Sequence, residues 1–354
     1  MKKKSPQILV INTGSTTTKI GFFEGEKELW QQKFDHSTHE LADLENFDQQ
    51  VAFRKRLIKN FLNQKNIDIK KIDLFMCRGG LINPVQSGVY QVNEKMLSDL
   101  KNAPKQHASN LSAVIGYHLS QNKRNVFIAD PVVVDEMQDL ARYAGHRLFE
   151  RKSIFHALNH KATARRFAKE KGQNYEDLNL IVAHLGGGIS VGAHQHGLVI
   201  DVNQALDGEG PFSPERSGSL PVGDLLKKAF SGKYSYPEMA EMIVGKGGLV
   251  SYLGTNNVKK IVENLTPEKQ EVLAAMAYQV AKTIGEMATV LKGEVQAIIL
   301  TGGLAHNRLI TDEITKRVSF IAPVKIYPGE DELKALAYNG WLVYNGELKP
   351  KTYQ

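Results

Sequence analysis

Residues 8–14 read ILVINTG, and residues 180–186 read LIVAHLG. Each segment is a short, continuous apolar run that ends in a glycine, a pattern typical of a buried strand leading into a tight turn. The two glycines, Gly14 and Gly186, lie 172 residues apart in a chain of 354 residues. A repeat at about half the chain length predicts a duplicated domain. The alternative is that two buried strands end in glycine turns by chance.

The composition is that of a globular protein, with 42% hydrophobic and 23% charged residues. A length of 354 residues predicts two domains of comparable size. No apolar run has the length of a bilayer span, and the run at residues 8–11 is too short for a signal peptide. A single cysteine, Cys77, excludes an internal disulfide framework and a cysteine-cluster metal site, so we expect a cytoplasmic protein.

The formal charge of +7 raises the question of nucleic-acid binding. Basic and acidic residues are mixed along the chain, and no basic segment carries the interleaved aromatic residues of a single-strand platform. An attraction for small anions, such as nucleotides and acidic metabolites, fits the charge equally well. We therefore expect a small-molecule substrate and neither a nucleic-acid nor a membrane partner.

Apolar periodicity predicts alternating strands and helices, and hence an α/β fold. After the first strand, strands are predicted over residues 20–23, 29–34, 72–76, 125–129, 180–183, 295–300 and 321–326. Helices are predicted over residues 44–61, 111–119, 156–171, 331–344 and onward from Pro267, which follows the N-cap residue Thr266. Residues 142–153 are polar and mark the domain junction, and the Gly- and Pro-rich residues 203–221 form a long loop of the kind that is usually functional.

Three predicted turns are built from glycine and small polar residues. Residues 12–19 read NTGSTTTK, residues 186–188 are three glycines, and residues 301–307 read TGGLAHN. Such turns expose backbone N–H groups and hydroxyls with little side-chain bulk, which suits a phosphate group. The alternatives are ordinary hairpin turns and, for the third, a turn at a helix entry. The first turn is not a P-loop, because it lacks the Gly-Lys-Ser/Thr ending and leads into a hairpin.

With three further motifs, the first two of these turns resemble the acetokinase family. The motifs are NTGSTTTK at residues 12–19, HLGGG at 184–188, LDGEGPFSPERSG at 206–218, ADPVVVD at 129–135 and PGEDE at 328–332. The likeness extends from Ile8 to the closing helix, and the combination of motifs in this order is highly specific.

The resemblance implies a duplicated ribonuclease-H-like fold of the actin-like ATPase superfamily, with a nucleotide cleft between two domains. The closing helix would return to the first domain, so the domains would be residues 1–150 with 331–354, and residues 151–330. The implied reaction is reversible transfer of the γ-phosphoryl group of ATP to a short-chain carboxylate, with Mg²⁺. The third motif favours the branch of the family that acts on butanoate. A homodimer or a larger homo-oligomer is implied as well.

The resemblance also implies three groups of site residues. Phosphoryl transfer is assigned to Arg216, His156, Asp130 and Arg78. Nucleotide and phosphate binding is assigned to Asn12, Gly14, Ser15, Thr17, Lys19, His184, Gly186, Gly187, Gly188, Gly302, Gly303 and Asn307. Binding of Mg²⁺ is assigned to Asn12, Glu330 and Asp331.

Each role has a structural alternative. A histidine on a helix, such as His156, is more often structural, and Asp130 is a plausible helix N-cap before Pro131. Arg216 would otherwise be a solvated arginine of a loop. The carboxylates at residues 330–332 would otherwise cap a helix start.

Departures from the family pattern favour the butanoate branch. Gly187 stands where acetate kinases carry Asn, Thr17 stands where they carry Ser, and the chain is shorter than typical acetate kinases. A kinase for a branched acid such as 2-methylpropanoate is the nearest alternative. A non-kinase ATPase with the actin-like fold is a more distant one.

Overall fold

The computed structural model describes residues 5–42, 44, 46–104, 106–121 and 123–354. The predicted first domain begins with residues 1–4, and the predicted helix over 44–61 includes residue 45; these five residues lie outside the described part. The chain divides into two compact units. One comprises the residues up to Val134 together with Asp331–Gln354, and the other comprises Asp135–Glu330.

The first unit contains a seven-stranded sheet. Its strands are β1 (Gln7–Thr13), β2 (Thr17–Glu24), β3 (Lys27–Asp35), β4 (Leu74–Arg78), β5 (Val89–Gln91), β6 (Val126–Ala129) and β12 (Lys351–Thr352). Their order is β12-β5-β6-β4-β1-β2-β3. Strands β1, β2 and β3 form an antiparallel meander, whereas β4 is parallel to β1 and β6 is parallel to β4. The predicted hairpin at the start of the chain is confirmed, since the Gly14 N–H donates to the Thr17 carbonyl at 2.9 Å.

The second unit contains a five-stranded sheet. Its strands are β7 (Asn179–Leu185), β8 (Ile189–Gln195), β9 (Leu198–Val202), β10 (Ala297–Gly302) and β11 (Val324–Pro328). The order β11-β10-β7-β8-β9 repeats the order β6-β4-β1-β2-β3 of the first unit, and each pair of neighbours runs in the same relative direction. The duplication predicted from the two glycine-ended strands, β1 and β7, is therefore confirmed.

Thirteen α-helices occur in the described residues. The first unit has α1 (Thr38–Ala42), α2 (Phe47–Gln64), α3 (Glu94–Lys101), α4 (Asn110–Leu119) and α13 (Glu332–Asn345). The second has α5 (Asp139–Arg142), α6 (Ala157–Lys171), α7 (Val222–Ala229), α8 (Tyr236–Ile243), α9 (Gly248–Leu253), α10 (Val258–Glu263), α11 (Pro267–Val290) and α12 (Arg308–Val318). The predicted start of α11 is confirmed, because Thr266 accepts a hydrogen bond from the Lys269 N–H at 3.3 Å. No described helix is both long and apolar enough to cross a membrane.

The burial of strand β7 on both of its faces explains why the sequence of this strand is almost continuously apolar. Alternate side chains of a strand point to opposite faces of the sheet. Ile181 belongs to the core that α11 covers, and Val182 belongs to the core that contains Phe167 of α6. Because helices cover both faces, every position of β7 is buried and apolar residues need not alternate with polar ones.

The closing helix α13 packs on the sheet of the first unit. It contacts β1 and β4, and Leu336 is fully buried. Gly340 allows a close approach, since a Cβ atom there would lie 2.7 Å from Met76 Cγ.

The first segment of the first unit ends at Val134, upstream of the junction predicted near residue 150. The segment that follows bonds within the second unit, where the Gln138 N–H donates to the Ile200 carbonyl at 3.0 Å. The domain limits of residues 1–150 with 331–354, and of residues 151–330, remain a prediction.

Candidate active-site residues

Asn12, Arg78 and Glu332 meet at one edge of the first sheet. Asn12 lies near the end of β1 and Arg78 ends the parallel strand β4, so their side chains leave the sheet at the same edge. The Asn12 amide donates to the carboxylate of Glu332, at the start of α13. Arg78 donates to Asn12 Oδ1 at 3.3 Å, and its guanidinium lies 3.6 Å from Glu332 Oε2. The predicted residues Asn12 and Arg78 therefore belong to one polar group.

Glu332 belongs to the acidic motif at residues 330–332 that the resemblance links to Mg²⁺, but the sequence assigned the metal to Glu330 and Asp331 instead. Its motif, PGEDE, pointed to the right segment, but only the helix geometry of α13 decides which of three carboxylates reaches Asn12. Asp331 is mostly exposed and lies 3.8 Å from the ammonium of Lys334. Glu330 instead lies in the second unit, with its Oε1 atom 3.1 Å from His184 Nε2.

The turn between β1 and β2 presents small polar groups. Ser15 is exposed at its tip, and Thr17 begins β2. Lys19 pairs directly with Asn12 across the hairpin. Directly opposed residues of an antiparallel pair share one face of the sheet, so the Lys19 side chain lies on the Asn12 face.

Asp130 has an unusual backbone conformation at the end of β6. Its φ of 39° is rarely adopted by a residue with a side chain. Its Oδ1 accepts hydrogen bonds from the Ser87 hydroxyl at 2.6 Å and the Gly88 N–H at 2.8 Å. The alternative role as a helix N-cap is wrong, because the next helix begins only at Asp139. Strain of this kind is often kept at functional sites.

In the second unit, His156 and His184 lie face to face. Their rings stack with centroids 3.9 Å apart. His184 is almost fully buried at the end of β7, and its Nδ1 bonds with Asn159 Oδ1 at 2.9 Å. His156 occupies the N-cap position of α6 with a non-helical backbone, so it precedes the helix in which it was predicted to lie. Both predicted histidines thus belong to one group.

A chain of buried hydrogen bonds continues from His156. Its Nδ1 lies 2.9 Å from the Ser190 hydroxyl, which lies 2.8 Å from His160 Nε2. His160 Nδ1 lies 3.2 Å from His194 Nε2, and His194 Nδ1 lies 2.7 Å from the Tyr175 hydroxyl. Burial, reinforced by the neighbouring His184, holds the pKa of His160 well below its ordinary value. Local sequence patterns do not predict this hydrogen-bonded series, because its members come from three separate segments: the start of α6, Tyr175–Asp177 and β8.

The side chain of Arg216 packs against the triple-glycine turn. A Cβ atom at Gly188 would overlap the Arg216 guanidinium, which donates to the Ala205 carbonyl. The Ser213 hydroxyl donates to the Gly187 carbonyl at 2.6 Å. The long loop over residues 203–221 therefore packs directly on the turn after β7, and the second and third motifs form one surface.

The third glycine turn follows β10. Gly302 has a φ of 91°, and a Cβ atom there would collide with the backbone of Leu185. Nothing lies within 4 Å of a Cβ atom built at Gly303. Asn307 caps α12 by accepting from the Leu309 N–H at 3.0 Å, which is the helix-entry role that the sequence left open. In this turn Gly302 is needed for the close approach to Leu185, whereas Gly303 has open space beside its α-carbon.

A site for Mg²⁺ would depend on few protein ligands among the described residues. Among the described residues, no group of three or more His, Cys, Asp or Glu side chains is arranged to hold a metal ion. The oxygens of Asn12 and Glu332 are donors that Mg²⁺ accepts. A site with one or two protein oxygens fits Mg²⁺ that is also bound by substrate phosphates and water.

Comparison with known proteins connects this arrangement to a family. A family model described as the acetokinase family matches residues 137–326. Butyrate kinase 2 of Clostridium acetobutylicum is 53% identical over 354 residues, which cover 98% of this chain and 99% of that protein. The chain belongs to the acetokinase family. A probable butyrate kinase of Clostridium botulinum is 49% identical, over 99% of this chain and 100% of that protein.

The fold of the acetokinase family is also found among solved structures. The crystal structure of Porphyromonas gingivalis acetate kinase superimposes with a TM-score of 0.76 at 16% identity, covering 96% of this chain and 100% of that chain. The resemblance drawn from the sequence motifs is confirmed, and so is the duplicated α/β fold of the actin-like ATPase class.

Proposed function

We propose that this protein is a butyrate kinase, which reversibly transfers the γ-phosphoryl group of ATP to butanoate and gives butanoyl phosphate and ADP. The observation that carries the proposal is the similarity, at 49 and 53% identity over nearly the whole chain, to proteins named butyrate kinase. The motifs that separate this chain from acetate kinases support the same branch.

The reaction needs charge neutralisation more than it needs a base. A carboxylic acid with a pKa of roughly 4 to 5, like those of Asp and Glu, is ionised near neutral pH. Its oxygen forms a bond to the γ-phosphorus, the bond from that phosphorus to the β–γ bridging oxygen breaks, and the electron pair leaves on ADP. No proton is transferred. The enzyme must bring two anions together and stabilise negative charge on the transferred group.

Arg216 and His156 are proposed to stabilise the transferring phosphoryl group. Arg216 offers a guanidinium whose planar fork matches two phosphoryl oxygens. Its contact with the triple-glycine turn and the stacking of His156 on His184 hold both side chains in defined positions. Arg78 is proposed to bind the carboxylate of the acid, and Asp130 to act on the metal or the acid nucleophile.

Three glycine turns are proposed to bind ATP and ADP. Backbone N–H groups and small hydroxyls can approach phosphate oxygens closely where side chains are small. The residues proposed for this role are Asn12, Gly14, Ser15, Thr17, Lys19, His184, Gly186, Gly187, Gly188, Gly302, Gly303 and Asn307. Of these, Gly303 has open space beside its α-carbon, which supports close approach of a ligand.

For Mg²⁺, Asn12, Glu330 and Asp331 are the residues proposed from the sequence, and we add Glu332 because it contacts Asn12. When bound, Mg²⁺ would neutralise negative charge on the phosphates. Cytoplasmic location and a homo-oligomeric state also remain proposals.

An acid-series assay tests the proposed function. The purified protein is supplied with ATP, Mg²⁺ and acetate, propanoate, butanoate or 2-methylpropanoate, and hydroxylamine traps any acyl phosphate as a hydroxamate. We expect the highest kcat/KM with butanoate. Neighbouring acids should retain part of the activity, because one methylene is worth only about 1–3 kcal/mol. Absence of hydroxamate with every acid would refute a carboxylate kinase, and a clear preference for 2-methylpropanoate would favour the branched-acid alternative.

A further inference from the structure

Arg54 is a buried cation beneath the first glycine turn. It lies on α2, its side chain is fully buried, and it is the largest fully buried side chain of the described residues. Its guanidinium donates to Gln50 Oε1 at 2.6 Å and to the Ser15 carbonyl at 3.3 Å. Ser15 is the exposed tip of the turn between β1 and β2. The buried guanidinium of Arg54 therefore contacts the backbone of a surface turn from the interior of the protein.

The charge of Arg54 is not balanced within the described residues. No carboxylate there forms an ion pair with it, and its Nε atom has no hydrogen-bond partner. Its two acceptors, an amide and a carbonyl oxygen, are both uncharged. Burial lowers the pKa of Arg54, but a guanidinium remains protonated in proteins. A buried charge without a counter-charge is costly, so the arrangement calls for an anion.

The turn above Arg54 is held rigidly. The Gly14 N–H donates to the Thr17 carbonyl at 2.9 Å, and the His36 N–H donates to the Thr16 carbonyl at 2.8 Å. The Thr18 hydroxyl bonds with His36 Nε2 at 2.8 Å. His36 cannot supply the missing negative charge. A histidine side chain is neutral or cationic, and the pKa of His36 is lowered, first by burial and then by Arg54 itself.

We propose that Arg54 completes an anion site on this turn, and that a phosphate group bound to residues 14–17 supplies its counter-charge. The inference rests on the proposed function for the source of that phosphate, which is ATP or ADP. Arg54 itself stays below the backbone and acts as a positioning and charge-supplying residue. The Ser15 carbonyl that it holds orients the N–H groups of the turn.

The substitution Arg54→Met separates this role from a merely structural one. Replacing a buried, unbalanced charge by an apolar side chain of similar length is often neutral or stabilising. We expect the ligand-free melting temperature of Arg54→Met to equal or exceed that of the wild type. We also expect the Kd for ATP and ADP to rise about tenfold or more, because one nearby unit charge is lost in a low-dielectric setting.

The matched control is Arg56→Met, which removes the same charge from an exposed position of the same helix. It should change neither the melting temperature nor the Kd for ATP. A second variant, Gln50→Leu, keeps the charge and removes one of its hydrogen bonds. If the charge is what matters, Gln50→Leu should bind ATP as the wild type does even where it is less stable.

Two results would overturn the inference. One is an Arg54→Met protein that binds ATP and ADP as tightly as the wild type does. The other is loss of ATP affinity in Gln50→Leu equal to that in Arg54→Met, which would show that the hydrogen-bonded framework and not the charge is responsible. Binding is measured by calorimetry without any acid present. Failure of the proposed acyl transfer, seen as absence of hydroxamate from the wild type, is therefore a separate outcome.

Discussion

Arg216 is the residue whose removal should separate turnover from nucleotide affinity. Its guanidinium lies against the triple-glycine turn and donates to the Ala205 carbonyl, so its position is fixed before substrate binds. We expect Arg216→Ala to lower kcat about 10²–10³-fold, as loss of a charge-stabilising donor does in other enzymes. The Kd for ATP should change far less. Steady-state kinetics with a direct binding titration test this, and loss mainly of ATP affinity would contradict the assigned role.

His194 should make stability depend on pH. Burial, followed by the effects of His160, Lys161 and Arg165, holds the pKa of His194 well below its ordinary value. The unfolded chain therefore binds more protons than the folded chain once the pH falls below about 6.5, and the folded state loses stability there. We expect His194→Gln to reduce the loss of unfolding free energy between pH 7 and pH 5. Denaturant titrations at the two pH values measure it.

The control for His194 is His146→Gln, since His146 is an exposed histidine of the same unit. This variant should keep the wild-type pH slope. An unchanged slope in His194→Gln would show that His194 does not contribute to the pH dependence of stability.

At the scale of single elements, the turn after β7 depends on glycine for space. A Cβ atom at Gly188 would overlap the Arg216 guanidinium, whereas one at Gly187 would lie 3.3 Å from Glu215 Oε1. We expect Gly188→Ala to displace Arg216 and to lower kcat by up to about 100-fold, the cost of a displacement of about 1 Å in an active site. Gly223→Ala is the control, because nothing lies within 4 Å of a Cβ atom built there, and it should keep the activity. Equal kinetics for the two variants would contradict the role of the turn.

The elements that the sequence predicted well are those with strong local patterns. Strands β1 and β7 were predicted from their continuous apolar runs, and the start of α11 was predicted from its Thr-Pro pair. Burial on both faces of a strand and capping of a helix each require particular residue types at neighbouring positions. Helices α7 and α8 and the short strands β5 and β12 were not predicted. The exposed helix α7 has no buried residue, so its sequence carries no core stripe.

At the scale of the whole chain, duplication was predictable and long-range pairing was not. The 172-residue spacing of two glycine-ended strands indicated two similar halves, and the matched strand orders confirm them. The contact between Asn12 and Glu332 joins residues 320 positions apart. No periodicity records such a contact, which depends on α13 folding back onto β1. The buried Arg54 was missed for a similar reason, since nothing local distinguishes it from the exposed cations around it.

The return of α13 should contribute strongly to the stability of the first unit. Leu336 is fully buried against that unit, so Leu336→Ala should lower the free energy of unfolding by about 2–5 kcal/mol. Lys334→Ala, on the same helix at an exposed position, should have little effect. Urea unfolding followed by tryptophan fluorescence measures the difference. A cost under about 1 kcal/mol for Leu336→Ala would show that α13 adds little to the core.

The central claim is that the chain transfers a phosphoryl group between a nucleotide and a short carboxylate. The most direct measurement supplies the purified protein with butanoyl phosphate, ADP and Mg²⁺, and follows ATP formation with a luciferase assay alongside release of inorganic phosphate. Direct transfer predicts one ATP formed for each butanoyl phosphate consumed, with little phosphate released, and strong loss of ATP formation in Arg216→Ala. Release of phosphate without ATP, or no consumption of butanoyl phosphate at all, would contradict the claim.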